Sequence, residues 1–422
     1  MDKSIMVSVW CAAYNHELYI RDAIESFLNQ TTNFKYEIII HDDASTDKTV
    51  EIIKEYEAKY PEIIHGIYQA ENQYKRQFPS TEWIQIIHRE NCKGKYIAWC
   101  EGDDYWIDSN KLQIQIDYME KHTECIMTTH NAIDINYKKG DVKTRNPFKQ
   151  EGDLAAEQII MQQNGHLPTA SIVYRKEIAE MQGFFLETGI GDYPIELYSL
   201  SKGVIHYFDR IMSVYRCEHQ GSYGESLYLN QKKYFFHCIG LISFLEQYNR
   251  YTNKKYEKYV VNRMQGFVDE IINSYTKKTR EQFVEICREY DRETGYKFHE
   301  YMEEIIRIFS LLFDDESCEK ELFKYCKENQ KIYIMGAGKY AGVIAKKLDK
   351  YDIGYQGFVV SDDQKYKREY LNKQVWKFSE LRYKERDAAF IIGINPCIWG
   401  QIIEQLEKEN IINYYCPFLV SV

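Results

Sequence analysis

The segment Tyr96-Ile-Ala-Trp-Cys-Glu101-Gly-Asp103-Asp104-Tyr-Trp-Ile-Asp108 restricts the folds open to this chain more than any other. A short apolar run reads as a buried strand, and it delivers Glu101, Asp103 and Asp104 within four residues. Carboxylates crowded at a strand end repel one another and lose hydration, so packing alone does not select them. A divalent cation relieves the repulsion. Hard oxygen donors suit Mn²⁺ or Mg²⁺, with coordination positions left for phosphate oxygens. The segment therefore predicts a metal-bound nucleotide or diphosphate at the carboxyl edge of a sheet.

The flanking sequence supplies that sheet. Residues 5–12, 36–41, 63–68 and 95–101 read as strands, and 18–29, a segment ending near Tyr60, and 81–91 read as helices. Ser45 or Thr46 is expected to cap the second helix. Strand–helix alternation of this kind predicts an α/β fold with a mostly parallel sheet and ligands at the carboxyl ends of its strands. Asp42 and Asp43 end the second strand, where a carboxylate can accept an N–H from a base, bind ribose hydroxyls, or favour a helix start. Segments 125–135, 169–174 and 204–214 are further strand candidates. The pattern turns helical over 227–330, read as a linker or dimerisation segment, which leaves a homodimer open. Alternation returns at 331–422 with a glycine turn, Gly336-Ala-Gly338, between a strand and a helix, and Asp362 and Asp363 after the next strand. The expected domains are thus 1–226, 227–330 and 331–422.

Composition excludes several classes. A chain of 422 residues with 44% hydrophobic and 28% charged residues has ample core for two or three domains. A formal net charge of -10 argues against a nucleic-acid binder. Eleven cysteines without a C-x-x-C pair suggest neither a disulfide framework nor a zinc site, and fit a reducing cytoplasm. No signal-peptide core and no membrane-spanning run is evident. The expected location is cytoplasmic, with peripheral association at the inner face of the cell membrane left open.

The ordered series V-S-V-W-C-A-A-Y-N, S-F-L-N-Q-T, Y-E-I-I-I-H-D-D-A-S-T-D-K-T and G-K-Y-I-A-W-C-E-G-D-D-Y-W resembles the family 2 glycosyltransferases of GT-A fold. The likeness extends over residues 4–225. It implies that Tyr14 lies against a uracil, that Asp43 accepts the uracil N–H with Asp42 in support, and that Asp103 contacts the ribose or donor sugar. Asp104 is then the ligand of Mn²⁺ or Mg²⁺, and Glu101 stands where the family often has the first Asp of its metal motif. Ala12 and Ala13 replace the family's usual Pro-Thr in the nucleotide-binding segment, and Arg76 or Arg89 stands in for its arginine. Gly189-Ile-Gly191-Asp192-Tyr-Pro-Ile-Glu196 resembles the segment whose Asp deprotonates the acceptor, which makes Asp192 the base; Gly191 replaces an acidic neighbour. Tyr215-Arg216-Cys-Glu-His219 resembles a segment that folds over the donor, with Arg216 offsetting diphosphate charge and His219 reaching phosphate or metal.

The resemblance implies inverting transfer from a nucleotide-diphospho-sugar, a UDP-sugar, to a hydroxyl of a glycan or lipid-linked acceptor in cell-surface polysaccharide biosynthesis. The tail resembles small Rossmann-like domains attached to bacterial polysaccharide-synthesis enzymes. Two rivals stay open: a silent sugar-nucleotide-binding scaffold and a sugar-phosphate nucleotidyltransferase.

Overall fold

A computed structural model describes residues 4–77, 80–145, 147–148, 150–161, 167–217, 231–275, 316–362, 366–385 and 387–394, with scattered positions between 285 and 292 and between 406 and 415. The chain divides into two compact units, Met1–Phe267 and Val268–Val422.

The first unit is built on one large sheet. Its strands are β1 (Val7–Ala13), β2 (Tyr36–Asp42), β3 (Ile64–Tyr68), β4 (Tyr96–Trp99), β5 (Tyr105–Trp106), β6 (Cys125–Asn136), β7 (Asp141–Thr144), β8 (Gly152–Asp153), β9 (Val173–Arg175) and β10 (Val204–Cys217). The spatial order is β3-β2-β1-β4-β9-β6-β10-β5, with β7 on β6 and β8 on β10. β3, β2, β1 and β4 run parallel, whereas β9 is antiparallel to both β4 and β6. Helices α1 (Ile20–Leu28), α2 (Thr49–Lys59), α3 (Gln73–Gln77), α4 (Glu82–Asn91), α5 (Lys111–Lys121), α6 (Ala156–Met161) and α7 (Asp192–Lys202) complete the layers.

Side-chain alternation along the central strands sorts two cores. Val7, Val9, Cys11, Ile38, Ile40, Tyr96 and Ala98 pack with Ile20, Ile24 and Phe27 of α1 and Ile53 of α2. The opposite face carries Trp10, His41 and Trp99. There Trp10 meets His88 of α4 edge-on at 4.6 Å, and His41 lies 5.0 Å from Trp83. Both nitrogens of His41 lack a partner among the described residues. Burial therefore holds His41 neutral, with its pKa pushed down to about 4, and burial pushes His88 down to about 3.

Helix α2 starts at Thr49, later than Ser45 or Thr46 would place it. The cap position is Lys48, and Asp47, just before it, accepts from the Thr49 amide through Oδ1 at 2.9 Å. Ser45 and Thr46 instead bind Asn15 in the loop after β1. The segment 169–174 divides into a 3₁₀ turn, Thr169–Ser171, and the short strand β9. The helix Gln231–Tyr251 lies within the first unit, past the expected boundary at 226. Its Phe244 stands 5.9 Å from Phe185 and its Tyr248 6.2 Å from the same ring.

The second unit carries β11 (Ile332–Met335), β12 (Gly357–Val360), β13 (Glu369–Tyr370), β14 (Lys373–Lys377), β15 (Ala389–Ile392) and β16 (Tyr414–Tyr415), in the order β13-β14-β12-β11-β15-β16. All pairings except β13–β14 are parallel. The helices Glu316–Glu328, Lys339–Lys350 and Phe378–Lys384 accompany this sheet. The order reverses direction between β11 and β15, as in a Rossmann-like fold.

The buried histidines make a pH prediction. Their folded pKa values lie below the unfolded value, so the unfolded chain takes up protons first as pH falls. Stability from this pair is complete above about pH 6.5 and is lost as pH falls toward 4; the shift of His41 alone corresponds to about 3 kcal/mol. Urea unfolding between pH 7 and 4.5 should show a shallower loss for His41→Phe than for the native protein. Parallel slopes would contradict the assignment.

Candidate functional site

Three strands place the site, because β1, β2 and β4 end side by side. The Asp43 amide donates to the Ala13 carbonyl at 2.9 Å, and the Gly102 amide donates to the Ala12 carbonyl at 2.8 Å. Ala12 and Ala13 thus join the two acidic segments through backbone alone. Tyr14 follows in the loop, with the Lys75 ammonium 5.5 Å from its ring.

Asp42 and Asp43 do different things. Asp43 Oδ1 accepts from the Gln73 amide at 2.6 Å and Oδ2 from the Tyr74 amide at 3.1 Å, so the side chain starts α3, thirty residues downstream. Burial raises the Asp43 pKa, and those two amides oppose the rise. Asp42 Oδ2 accepts from the Ser45 amide at 2.9 Å, while its Oδ1 is buried without a partner among the described residues. Tyr74 reaches further: its hydroxyl donates to the Gly189 carbonyl at 3.2 Å, in the loop that leads to Asp192.

The turn after β4 concentrates charge. Asp104 is 1% exposed; its Oδ1 accepts from the Arg216 amide at 2.8 Å, and its Oδ2 is buried and unpartnered among the described residues. Desolvation, then the Asp103 charge, hold Asp104 well above the usual carboxylate range. Glu101 Oε1 accepts from the Trp99 indole at 2.6 Å. Burial pushes the Glu101 pKa up to about 8, aided by the charges of Asp103 and Asp192. Asp103 is more open, with His16 Nε2 3.9 Å from its carboxylate. Burial and mutual repulsion in this carboxylate cluster outweigh the nearby Arg216 charge at Asp104, and its hard donor set fits Mn²⁺ or Mg²⁺. Among the described residues no three His, Cys, Asp or Glu side chains form a complete ligand set.

Asp192 is the first residue of α7. Its Oδ2 accepts from the Thr169 hydroxyl at 3.3 Å and its Oδ1 from the Tyr193 amide at 2.8 Å. The effect of its charge on Glu101 and Tyr215 brings it to the same centre as the acidic turn. Glu196, one turn along α7, is fully buried.

Arg216 occupies a place the sequence did not suggest. It is 6% exposed and donates through Nη1 to the Asp103 carbonyl at 2.8 Å and through Nη2 to Asp22. Its guanidinium lies 4.4 Å over Tyr105 and 5.2 Å over Tyr19. The side chain thus clamps the acidic turn. His219 lies outside the described residues. Arg89 donates to the Ala179 carbonyl at 3.3 Å and Arg76 pairs with Glu71 at the surface. Ser171 is buried, bonding Thr129 and the Pro168 carbonyl.

Several site residues went unassigned in the sequence. His16 directly follows Tyr14-Asn15, and Trp99 shares a strand face with Glu101 by simple alternation, so both carried a signal. Asp22 and Tyr74 reach the site only through the tertiary fold.

In the second unit, Gly336 has φ of 104°, and a Cβ there would lie 2.7 Å from the Gly393 carbonyl oxygen, so the turn after β11 requires glycine. The Tyr370 hydroxyl donates to the Gly338 carbonyl at 3.1 Å, and Asp362 Oδ1 accepts from the Ser379 amide and hydroxyl. The glycine turn and the acidic residue are thus both engaged within the domain.

The first unit is an α/β domain of GT-A fold. S. aureus TarS 1-349, solved in complex with UDP-GlcNAc, matches with a TM-score of 0.50 at 15% identity, covering 76% of this chain and 92% of that one. Residues 8–180 match the model of glycosyl transferase family 2. The Mycobacterium tuberculosis protein Rv1520 is 31% identical over 234 residues, 54% of this chain. The chain spans 63% of that relative's length. The Escherichia coli UDP-Glc:alpha-D-GlcNAc-diphosphoundecaprenol beta-1,3-glucosyltransferase WfaP is 28% identical over 223 residues, 51% of this chain and 79% of that protein.

The Arg216 clamp has a measurable consequence. Arg216→Gln should destabilise the protein by about 2–4 kcal/mol in urea unfolding, because Asp22 and the Asp103 carbonyl lose a charged donor. A residue serving only to bind phosphate would leave stability unchanged.

Proposed function

We propose that this protein is a metal-dependent, inverting glycosyltransferase that moves a sugar from a nucleotide-diphospho-sugar, a UDP-sugar, to a hydroxyl of a glycan or lipid-linked acceptor in cell-surface polysaccharide biosynthesis. The observation that carries it is the acidic turn of Glu101, Asp103 and Asp104 at the carboxyl ends of parallel strands, beside Asp42 and Asp43, with the loop before Asp192 packed against the Trp99 indole that donates to Glu101.

The chain's own residues divide the work. Tyr14 and the Asp42–Asp43 corner take the nucleoside: Asp43 fixes the loop through two amides, and Asp42 Oδ1, without a partner among the described residues, is an acceptor for a donor group of the ligand. Asp103, the more open carboxylate, faces ribose or donor sugar. Asp104, through Oδ2, would hold Mn²⁺ or Mg²⁺, with Glu101, one of whose oxygens is committed to Trp99, as the weaker second candidate. A bound cation would offset the charge that develops on the departing diphosphate. Arg216 keeps the turn in place, and His219 follows it in the segment assigned to the donor phosphates.

Asp192 is the base. Thr169 and the Tyr193 amide orient its carboxylate, which takes the proton of the acceptor hydroxyl as that oxygen attacks the anomeric carbon. The acceptor oxygen attacks from the face opposite the diphosphate, one new C–O bond forming as the bond to the nucleoside diphosphate breaks, so the configuration inverts. Among the described residues no helix is long and apolar enough to cross a membrane, and a lipid-linked acceptor would be met at a bilayer surface.

Asp192→Asn should lower turnover by about 10²–10⁴-fold, read as UDP release from UDP-sugars, with UDP affinity unchanged. Asp104→Asn should abolish the metal-dependent part of UDP binding in calorimetry with Mn²⁺. Turnover by Asp192→Asn at the native rate would remove the base assignment, and metal-independent UDP binding would remove the cation.

A further inference from the structure

The glycosyl-transfer reading leaves Trp99 without a role, although it touches both halves of the site. Trp99 ends β4 and points to the same face as Glu101. Its indole N–H donates to Glu101 Oε1 at 2.6 Å. The far edge of the ring meets the other half: a Cβ built on Gly191 would lie 2.8 Å from Trp99 Cη2, closer than real carbon contacts come. Gly191 immediately precedes Asp192.

The indole has little freedom between these contacts. It is 3% exposed, its backbone amide donates to the Ile172 carbonyl at 2.9 Å, and the His88 ring stands edge-on at 5.8 Å. Packing alone does not account for it. Trp10 and Trp83 also fill this face, and their indole N–H groups find no partner among the described residues. The Trp99 N–H is directed to a site carboxylate.

We infer that Trp99 is a positioning residue that couples the acidic turn to the base loop. Its N–H sets the rotamer of Glu101, and its six-membered edge sets the backbone at Gly191 and so the approach of Asp192. A rigid side chain with two torsions spans the gap and holds the diphosphate corner and the base at one separation. Glycine at 191 is the complement of this arrangement. Any side chain there displaces the ring, and with it the carboxylate that the ring holds.

The coupling rests on the glycosyl-transfer reading for its purpose, yet it can be tested apart from it. In the free protein labelled with ¹⁵N-tryptophan, the Trp99 indole peak is the one missing from Trp99→Phe, or, should that variant not fold, the one displaced in Glu101→Gln. Gly191→Ala should move the same peak; an unmoved peak overturns the coupling whether or not nucleotide binds. Calorimetry with UDP and Mn²⁺ supplies the second arm. Gly191→Ala should weaken binding by about tenfold in the native background but by less than about twofold in Trp99→Phe, which lacks Cη2. Equal losses in both backgrounds overturn the coupling. A native protein that binds no UDP with Mn²⁺ overturns the glycosyl-transfer reading instead, and the indole peak still decides the role of Trp99.

Discussion

Everything at the site depends on holding three carboxylates at one strand end against their mutual repulsion. Donors from within the turn and from distant Arg216 do this. The Gly102 amide is tied to Ala12, the Arg216 amide to Asp104, the Arg216 guanidinium to the Asp103 carbonyl, and the Trp99 indole to Glu101. Even so the cluster is short of positive charge. Among the described residues Asp104 keeps one buried oxygen unpartnered, a deficit worth roughly 1–3 kcal/mol or more for a charged group. A fold that tolerates this deficit in the free state stores it for a ligand that removes it, such as a cation carried with a diphosphate.

The cost falls on a sheet whose two faces differ. The face under α1 and α2 is aliphatic and closely packed, the ordinary source of stability in a domain of this size. The face under α4 is aromatic and imidazole-rich, with Trp10, His41, Trp83, His88 and Trp99 in ring contact. It is this second face that extends to the acidic turn through Trp99. Large planar side chains give a stiff support for a charged turn, at the expense of buried polar atoms that go unsatisfied.

The alternation of strands and helices was legible because apolar runs and helical spacing reach well above background in residues 5–101. So was the acidic turn, since nothing but chemistry selects Glu101, Asp103 and Asp104 together. The pairing partners were not legible. Asp42 and Asp43 read equally as base ligands or helix caps, and Asp43 caps a helix, α3, that five polar residues do not announce. Arg216 reads as a free phosphate ligand because sequence shows its charge and hides Asp22, 194 residues away, which neutralises it. The strands β5, β7 and β8 are two to four residues long and depend on partners for their existence. The domain limit at 226 failed to register that the helix Gln231–Tyr251 packs on Phe185; amphipathic spacing shows that a helix has a buried face but not what buries it.

Two tethers join the halves of the site, and they differ in kind. Trp99 is buried and acts at the acidic turn, whereas Tyr74 acts at the nucleoside corner and is linked to the base loop by one hydroxyl. Asp43 holds the Tyr74 amide and Tyr74 holds the Gly189 carbonyl, so a ligand that orders the Asp42–Asp43 corner also orders the loop before Asp192. Gly189 has φ of 71°, a conformation glycine adopts without strain, which lets the loop make that contact. The loop before Asp192, the proposed base, is therefore held at two points, by the Trp99 indole at Gly191 and by the Tyr74 hydroxyl at Gly189. The Tyr74 tether depends on the part of the site that a nucleoside would occupy, so binding energy gained there can be expressed at the base.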